Sequence, residues 1–187
     1  MNRRQWMPWI AATVSVAALV HLGTLYELPR RIEARVLTRM GPPNTMHFAK
    51  RPDETSRGVV RPSPDLLYSA CPFDLSKGPL KITARVPHST YWSVSAFDAA
   101  TNNFFVRDDQ QIAGDSIEII ALRRGMALPS LDAAPMRVVI FAPTDKGLFL
   151  IRLLVNDEKN LPALDALRRQ ASCGTVASVA IARKPNP

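Results

Sequence analysis

From Gln5 to Tyr26 the chain carries no Asp, Glu, Lys or Arg, and this stretch restricts the fold more than any motif does. Trp9 to Leu25 is almost wholly apolar or small. A helix of about 20 such residues crosses a hydrocarbon core of about 30 Å, because it satisfies its own backbone groups where water is absent. Trp6, Trp9 and Tyr26 stand at the two edges, where amphipathic rings favour the headgroup layer. Pro8 falls near the helix start, where a missing N–H costs little. A cleaved signal peptide would share Arg3, Arg4 and the apolar core, but it would end on an Ala-x-Ala-like site. Val20-His21-Leu22-Gly23-Thr24-Leu25-Tyr26-Glu27 offers none. A buried core helix is seldom so long and apolar on every side. The expectation is one membrane span within residues 1–26.

The net charge of +8 raises the question of nucleic acid. Much of the excess (Arg3, Arg4, Arg30, Arg31, Arg35 and Arg39) flanks the apolar stretch, where anionic headgroups attract it. Aromatics interleaved with basic residues for base stacking are not evident, so nucleic acid is not an expected partner. Glu27–Met40 reads as a helix continuing from the anchor or hinged to it at Pro29. Leu28, Ile32, Val36 and Met40 recur every four residues among the arginines. Such a helix lies on headgroups as a basic amphipathic collar or packs its stripe on the domain, and the two can coexist. Sidedness stays open at this point. Arg3, Arg4 and the terminal amine oppose Arg30, Arg31, Arg35 and Arg39, offset by Glu27 and Glu33. Cys71 and Cys173 fit a disulfide in an oxidising compartment or two buried thiols in a reducing one.

Gly41-Pro42-Pro43-Asn44 ends the helix, and the polar stretch towards Arg61 reads as a linker, so that residues 27–58 form collar and linker. Residues 59–187 form a β-rich domain. With 16 prolines and 8 glycines, short strands and irregular loops suit this part better than long helices. Leu66–Leu75 and Leu80–Val86 flank Ser76-Lys77-Gly78-Pro79 as a hairpin. In the second of these, Leu80, Ile82, Ala84 and Val86 alternate with Lys81, Thr83 and Arg85, giving one buried face and one wet face. Strands follow at Tyr91–Phe97, Phe104–Arg107, Ser116–Leu122, Arg137–Phe141 and Leu148–Val155, the last two joined as a hairpin by Pro143–Gly147. Asn160 caps a short helix running to about Gln170 with Pro162 in its first turn. Thr175–Ile181 is a closing strand. The fold class is mainly β: an antiparallel, jelly-roll-like sandwich with an N-terminal transmembrane helix and a short C-terminal helix.

Two blocks carry a resemblance. Arg61-Pro62-Ser63-Pro64-Asp65-Leu66-Leu67-Tyr68-Ser69 with Phe73-Asp74-Leu75-Ser76-Lys77-Gly78-Pro79, and then Tyr91–Phe104, resemble in order the bacterial family catalogued as domain of unknown function 1254. The resemblance covers about Val59 to Val155. It implies a β-sandwich of jelly-roll type and a companion domain, numbered 1214, in the same chain or a neighbouring gene. It also implies a short, membrane-anchored member with a cytoplasmic tip and its globular part on the periplasmic side of the inner membrane. On that side a Cys71–Cys173 disulfide is expected, with Cα atoms within about 7 Å. The resemblance supplies no activity.

The polar residues form two candidate ligand-binding groups: Arg61, Asp65, Tyr68 and Asp74, and then Asp98, Thr101, Asn102 and Asn103. Carboxylates, amides and a phenol in a sandwich mouth suit a carbohydrate or small ligand. Asp and Asn before turns equally bond their own backbone. A glycosidase would need two carboxylates roughly 5 to 9.5 Å apart. His21, His47 and His88 belong to no metal-ligand spacing, and P-loop and nucleophile-elbow patterns are absent, so neither a metal nor a cofactor is expected. The expected function is a membrane-tethered binding module of the bacterial envelope, with an envelope-glycan enzyme working through Asp65, Tyr68 and Asp98 as the alternative.

Overall fold

The computed structural model of the chain describes residues 3–57, 62–112, 114–132 and 136–176. Its first element, α1 (Arg3–Met40), is one helix of 38 residues, about 57 Å long at 1.5 Å per residue. It is long and apolar enough to cross a membrane. The helix continues through Pro29 without interruption. Beside that proline, the Arg30 guanidinium lies 3.6 Å from the Tyr26 ring centroid and donates to the Tyr26 carbonyl, bracing the turn. Trp9, Val14, Leu19, Val20, Leu22 and Leu25 are all exposed, so none of this apolar surface is used by the domain. The four-residue stripe divides in two: Leu28 and Ile32 are exposed, whereas Val36 and Met40 are half-buried. An exposed stretch and a packed stretch thus follow one another along a single helix.

The rod ends at Gly41, whose φ of +113° a side chain would disfavour; a Cβ there would also sit 2.8 Å from the His47 ring. Asn44 then fixes the exit. Its amide N–H donates to the Pro72 carbonyl (2.7 Å), its Oδ1 accepts from the Asp74 N–H (2.8 Å) and its Nδ2 donates to the Asp74 carbonyl (3.0 Å).

Two sheets form the sandwich. The first contains β1 (His47–Phe48), β2 (Leu66–Asp74), β8 (Lys146–Leu154), β4 (Trp92–Asp98) and β5 (Asn103–Asp108), in that spatial order. The second is ordered β7 (Arg137–Ala142), β6 (Ser116–Arg123), β3 (Leu80–Arg85) and β9 (Ser172–Thr175). Every pairing is antiparallel except β6 with β7, which run parallel. Both expected hairpins are corrected by this order. β2 pairs with β8 while β3 pairs with β6 and β9, so the turn between β2 and β3 carries the chain from one sheet to the other. The Pro143–Gly147 segment likewise joins strands of opposite sheets. A turn signal marks a reversal, but the partner is chosen by burial. Long, doubly flanked β8 needs β2 and β4 on its two sides.

Leu67, Cys71 and Phe73 of β2, Phe149, Ile151 and Leu153 of β8 and Trp92, Val94 and Ala96 of β4 face Leu80, Ile82, Ile117, Ile119 and Ala121 across the core. Phe73 and Phe149 meet with ring centroids 5.5 Å apart. Cys71 and Cys173 form a disulfide that joins the two sheets, with Cα atoms 6.4 Å apart and a sequence separation of 102. By loop-closure entropy a crosslink of that span is worth about 4 to 5 kcal/mol.

The segment expected as a linker is strapped to the domain. β1 pairs with Ser69 and Ala70, and Arg51 forks onto Glu158 with two 2.7 Å bonds. The C-terminal helix, α2 (Leu161–Arg168), is present, but Asn160 makes no side-chain cap. Asp157 instead caps the 3-10 turn Glu158–Asn160 ahead of it. Arg168, 3% exposed, donates to the Tyr68 and Ala49 carbonyls and so binds α2 to β2 and the end of β1. The last described strand, β9, is Ser172–Thr175, ahead of the expected closing strand Thr175–Ile181, of which residues 177–181 lie outside the described residues.

Gly147, at the start of β8, is squeezed from both sides: a Cβ would lie 2.1 Å from the Phe97 carbonyl oxygen and 2.6 Å from the Phe73 ring. Replacing it, Gly147→Ala, must push β4 and β2 away from β8. The expected loss is about 1 to 3 kcal/mol in urea unfolding of the full-length protein in detergent; an unchanged midpoint would refute the close approach.

Candidate functional site

The sheet containing β8 has two polar ends, and the candidate residues divide between them. Tyr68 stands opposite Arg152 and Asp98 opposite Gly147, five residues apart along β8 and hence about 17 Å apart. Asp65, Tyr68 and Asp98 therefore do not line one pocket. Asp65 lies with Tyr68, where its carbonyl accepts from the Val155 N–H (2.8 Å) and the Tyr68 hydroxyl accepts from the Ser63 N–H (3.0 Å). Arg61 lies outside the described residues.

The opposite end brings together Asp74, Asp98, Asn102 and Lys146, and α1 crosses it. Asp74 and Lys146 pair across the strands at 3.7 Å, and Asp98 follows one strand further on. Ala34, Leu37, Thr38 and Gly41 of the helix, with Pro72, Phe73, Asp74 and Lys146 of the sheet end, line a groove of about 350 Å³. Glu33 reaches beyond it towards Asp98. The spacing is consistent with this crossing. Met40 to Glu33 spans about 10 Å of helix, and β2 to β4 spans two strand spacings, also about 10 Å.

Both aspartates at this end are already engaged. Asp74 Oδ1 accepts from the Ser76 N–H (3.0 Å) and from the Ser76 hydroxyl (2.5 Å), holding the 3-10 turn Leu75–Lys77 that sends the chain into β3. Burial pushes the Asp74 carboxyl up, but the Ser76 bonds and the charge of Lys146 together hold it below the usual carboxylate range. Asp98 Oδ1 accepts from the N–H groups of Ala100 (2.8 Å) and Asn102 (2.9 Å), and the Asn102 Nδ2 donates to Asp98 Oδ2 (3.0 Å). This clamp holds the β4–β5 turn, in which Thr101 adopts a φ of +67°. Asn103 begins β5. Neither Asp74 nor Asp98 is free of its own turn. Among the described residues no group of three or more His, Cys, Asp or Glu is placed to hold a metal ion. Glu33 and Lys146 were missed by sequence reasoning. Glu33 follows the stripe residue Ile32 among surface arginines, and nothing in its local spacing marks it as buried.

A family model described as protein of unknown function (DUF1254) matches residues 43–175, wider at both ends than the Val59–Val155 resemblance. No curated protein matches the chain in sequence. Among solved structures, the VPA0106 protein from Vibrio parahaemolyticus is similar in fold, with a TM-score of 0.63 at 10% identity. The similarity covers 88% of this chain and 39% of that one. A putative uncharacterized protein from Burkholderia cenocepacia aligns with a TM-score of 0.49 at 17% identity, over 89% of this chain and 44% of its own. The chain thus spans about two-fifths of the length of these solved proteins.

Removing the cap with Asp74→Ala is expected to cost about 1 kcal/mol at neutral pH. A carboxylate whose folded pKa is lowered contributes stability that is present above its unfolded value and is lost as pH falls through the folded one. Urea unfolding of wild type and variant should therefore converge below about pH 4; a gap independent of pH would contradict the charged cap.

Proposed function

Because this chain belongs to the family described as protein of unknown function (DUF1254), we propose its role from its own geometry: a single-pass, membrane-anchored binding module of the bacterial envelope, with its β-sandwich on the periplasmic side. The observation that carries this is α1, a charge-free span that runs without a break into turns packed on the sandwich. A disulfide between the two sheets supports an oxidising compartment for the domain. Arg30 and Arg31 follow the span closely enough to meet anionic headgroups, with Leu28 and Ile32 exposed beside them.

Binding is favoured over catalysis because Asp74 and Asp98 are committed to their own turns and Asp65 and Tyr68 lie at the far end of the sheet. The partner we assign is a companion protein carrying the 1214-type domain. It is suggested by the resemblance of the two sequence blocks, Arg61–Pro79 and Tyr91–Phe104, to family 1254, which often occurs beside such a domain.

Two outcomes are expected. Alkaline phosphatase fused after Pro187 should be active, since it folds only in an oxidising compartment; inactive phosphatase with a fluorescent cytoplasmic reporter at the same point would overturn the orientation. Affinity purification of the full-length protein from solubilised membranes should recover the companion in stoichiometric amount, and its repeated absence would remove that partner.

A further inference from the structure

Glu33 is 7% exposed, and its Oε1 meets no hydrogen-bond donor among the described residues. Buried carboxyls are rarely left this way, because an ionised one needs a cation or several donors. The charged groups around it supply neither. From β4 comes Asp98, buried and already accepting from Ala100 and Asn102, so that its own negative charge opposes a second one alongside. From the ends of β2 and β8 come Asp74 and Lys146, which pair with each other. On its own helix, Arg30 is turned back onto Tyr26 and Arg31 onto Glu27.

We propose that Glu33 is a proton-operated latch between the membrane helix and the sandwich. In its neutral form it lets the last turns of α1 seat across the sheet end; once its proton passes to solvent, the carboxylate leaves that surface and the turns lift away. Burial, and then the charge of Asp98, pushes the seated carboxyl above its usual range, whereas in the lifted state it meets water and titrates normally. The seated state therefore binds the proton more tightly. Seating is strongest at low pH and weakens as pH rises from the ordinary carboxyl value through the raised one. For one proton the seating equilibrium changes by at most tenfold per pH unit, and it levels off above the raised value. The device borders the 350 Å³ groove and sets whether its helix wall is in place. It is independent of which partner the domain binds.

Amide hydrogen exchange of the full-length protein in phosphatidylglycerol-containing nanodiscs tests this, followed from about pH 4 to about pH 8 and corrected for intrinsic rates. Protection at Leu37–Met40 should fall with rising pH and then reach a plateau, while β8 stays protected throughout. The isosteric variant Glu33→Gln should hold Leu37–Met40 at the low-pH protection at every pH. A flat wild-type profile would overturn the latch, as would a Glu33→Gln profile as steep as the wild type. Loss of protection in β8 together with the helix would assign the change to unfolding of the domain and would also overturn it.

Discussion

The constraint on which the structure depends is that a helix in lipid must make all its backbone hydrogen bonds within itself. Once begun, that ladder has no reason to stop at the water boundary. In this chain it runs on past Tyr26 and through Pro29 to Met40, where Gly41 ends it. The same rod therefore has two parts, one long and apolar enough to cross a membrane and one that packs on the domain. Its lower part exposes every large side chain, and its upper part gives Glu33, Val36, Leu37 and Met40 to the sandwich. The domain begins within a few residues of the helix end, where Asn44 ties the exit to the end of β2.

Periodicity and turn chemistry made the individual elements legible. The alternation of Leu80, Ile82 and Ala84 predicts a strand with one buried face, and β3 has it. The charge-free stretch predicts the helix, and the polar clusters predict turn clamps as one of their two possible roles, the one Asp74 and Asp98 have. What failed was pairing. Ser76–Pro79 and Pro143–Gly147 are sound turns, but which sheet receives the next strand depends on contacts about ninety residues apart, such as β3 with β9. The parallel β6–β7 pair has no local signal at all.

The candidate site was half legible for the same reason. Asp98 and Asn102 are neighbours in sequence and remain so in space. Asp65, Tyr68 and Asp98 share residue chemistry but belong to opposite ends of β8, and no spacing rule reveals that. Glu33 illustrates the limit most sharply. It sits amid arginines like any surface glutamate, and it is buried only because a helix crosses the ends of three strands that are not adjacent in sequence.

The continuous rod has a mechanical consequence. A domain on a flexible tether sweeps a hemisphere, and its reach grows with the square root of linker length. Here residues 27–32 are helical and the rod meets the sandwich from Glu33 onward, so the seated helix sets a standoff of about 10 Å between the end of the apolar stretch and the sandwich. For a chain held in a bilayer by this helix, diffusion is reduced to sliding and spinning in a plane at constant height. Only surfaces that lie in that layer can be met, and each encounter presents the same flank of the sandwich.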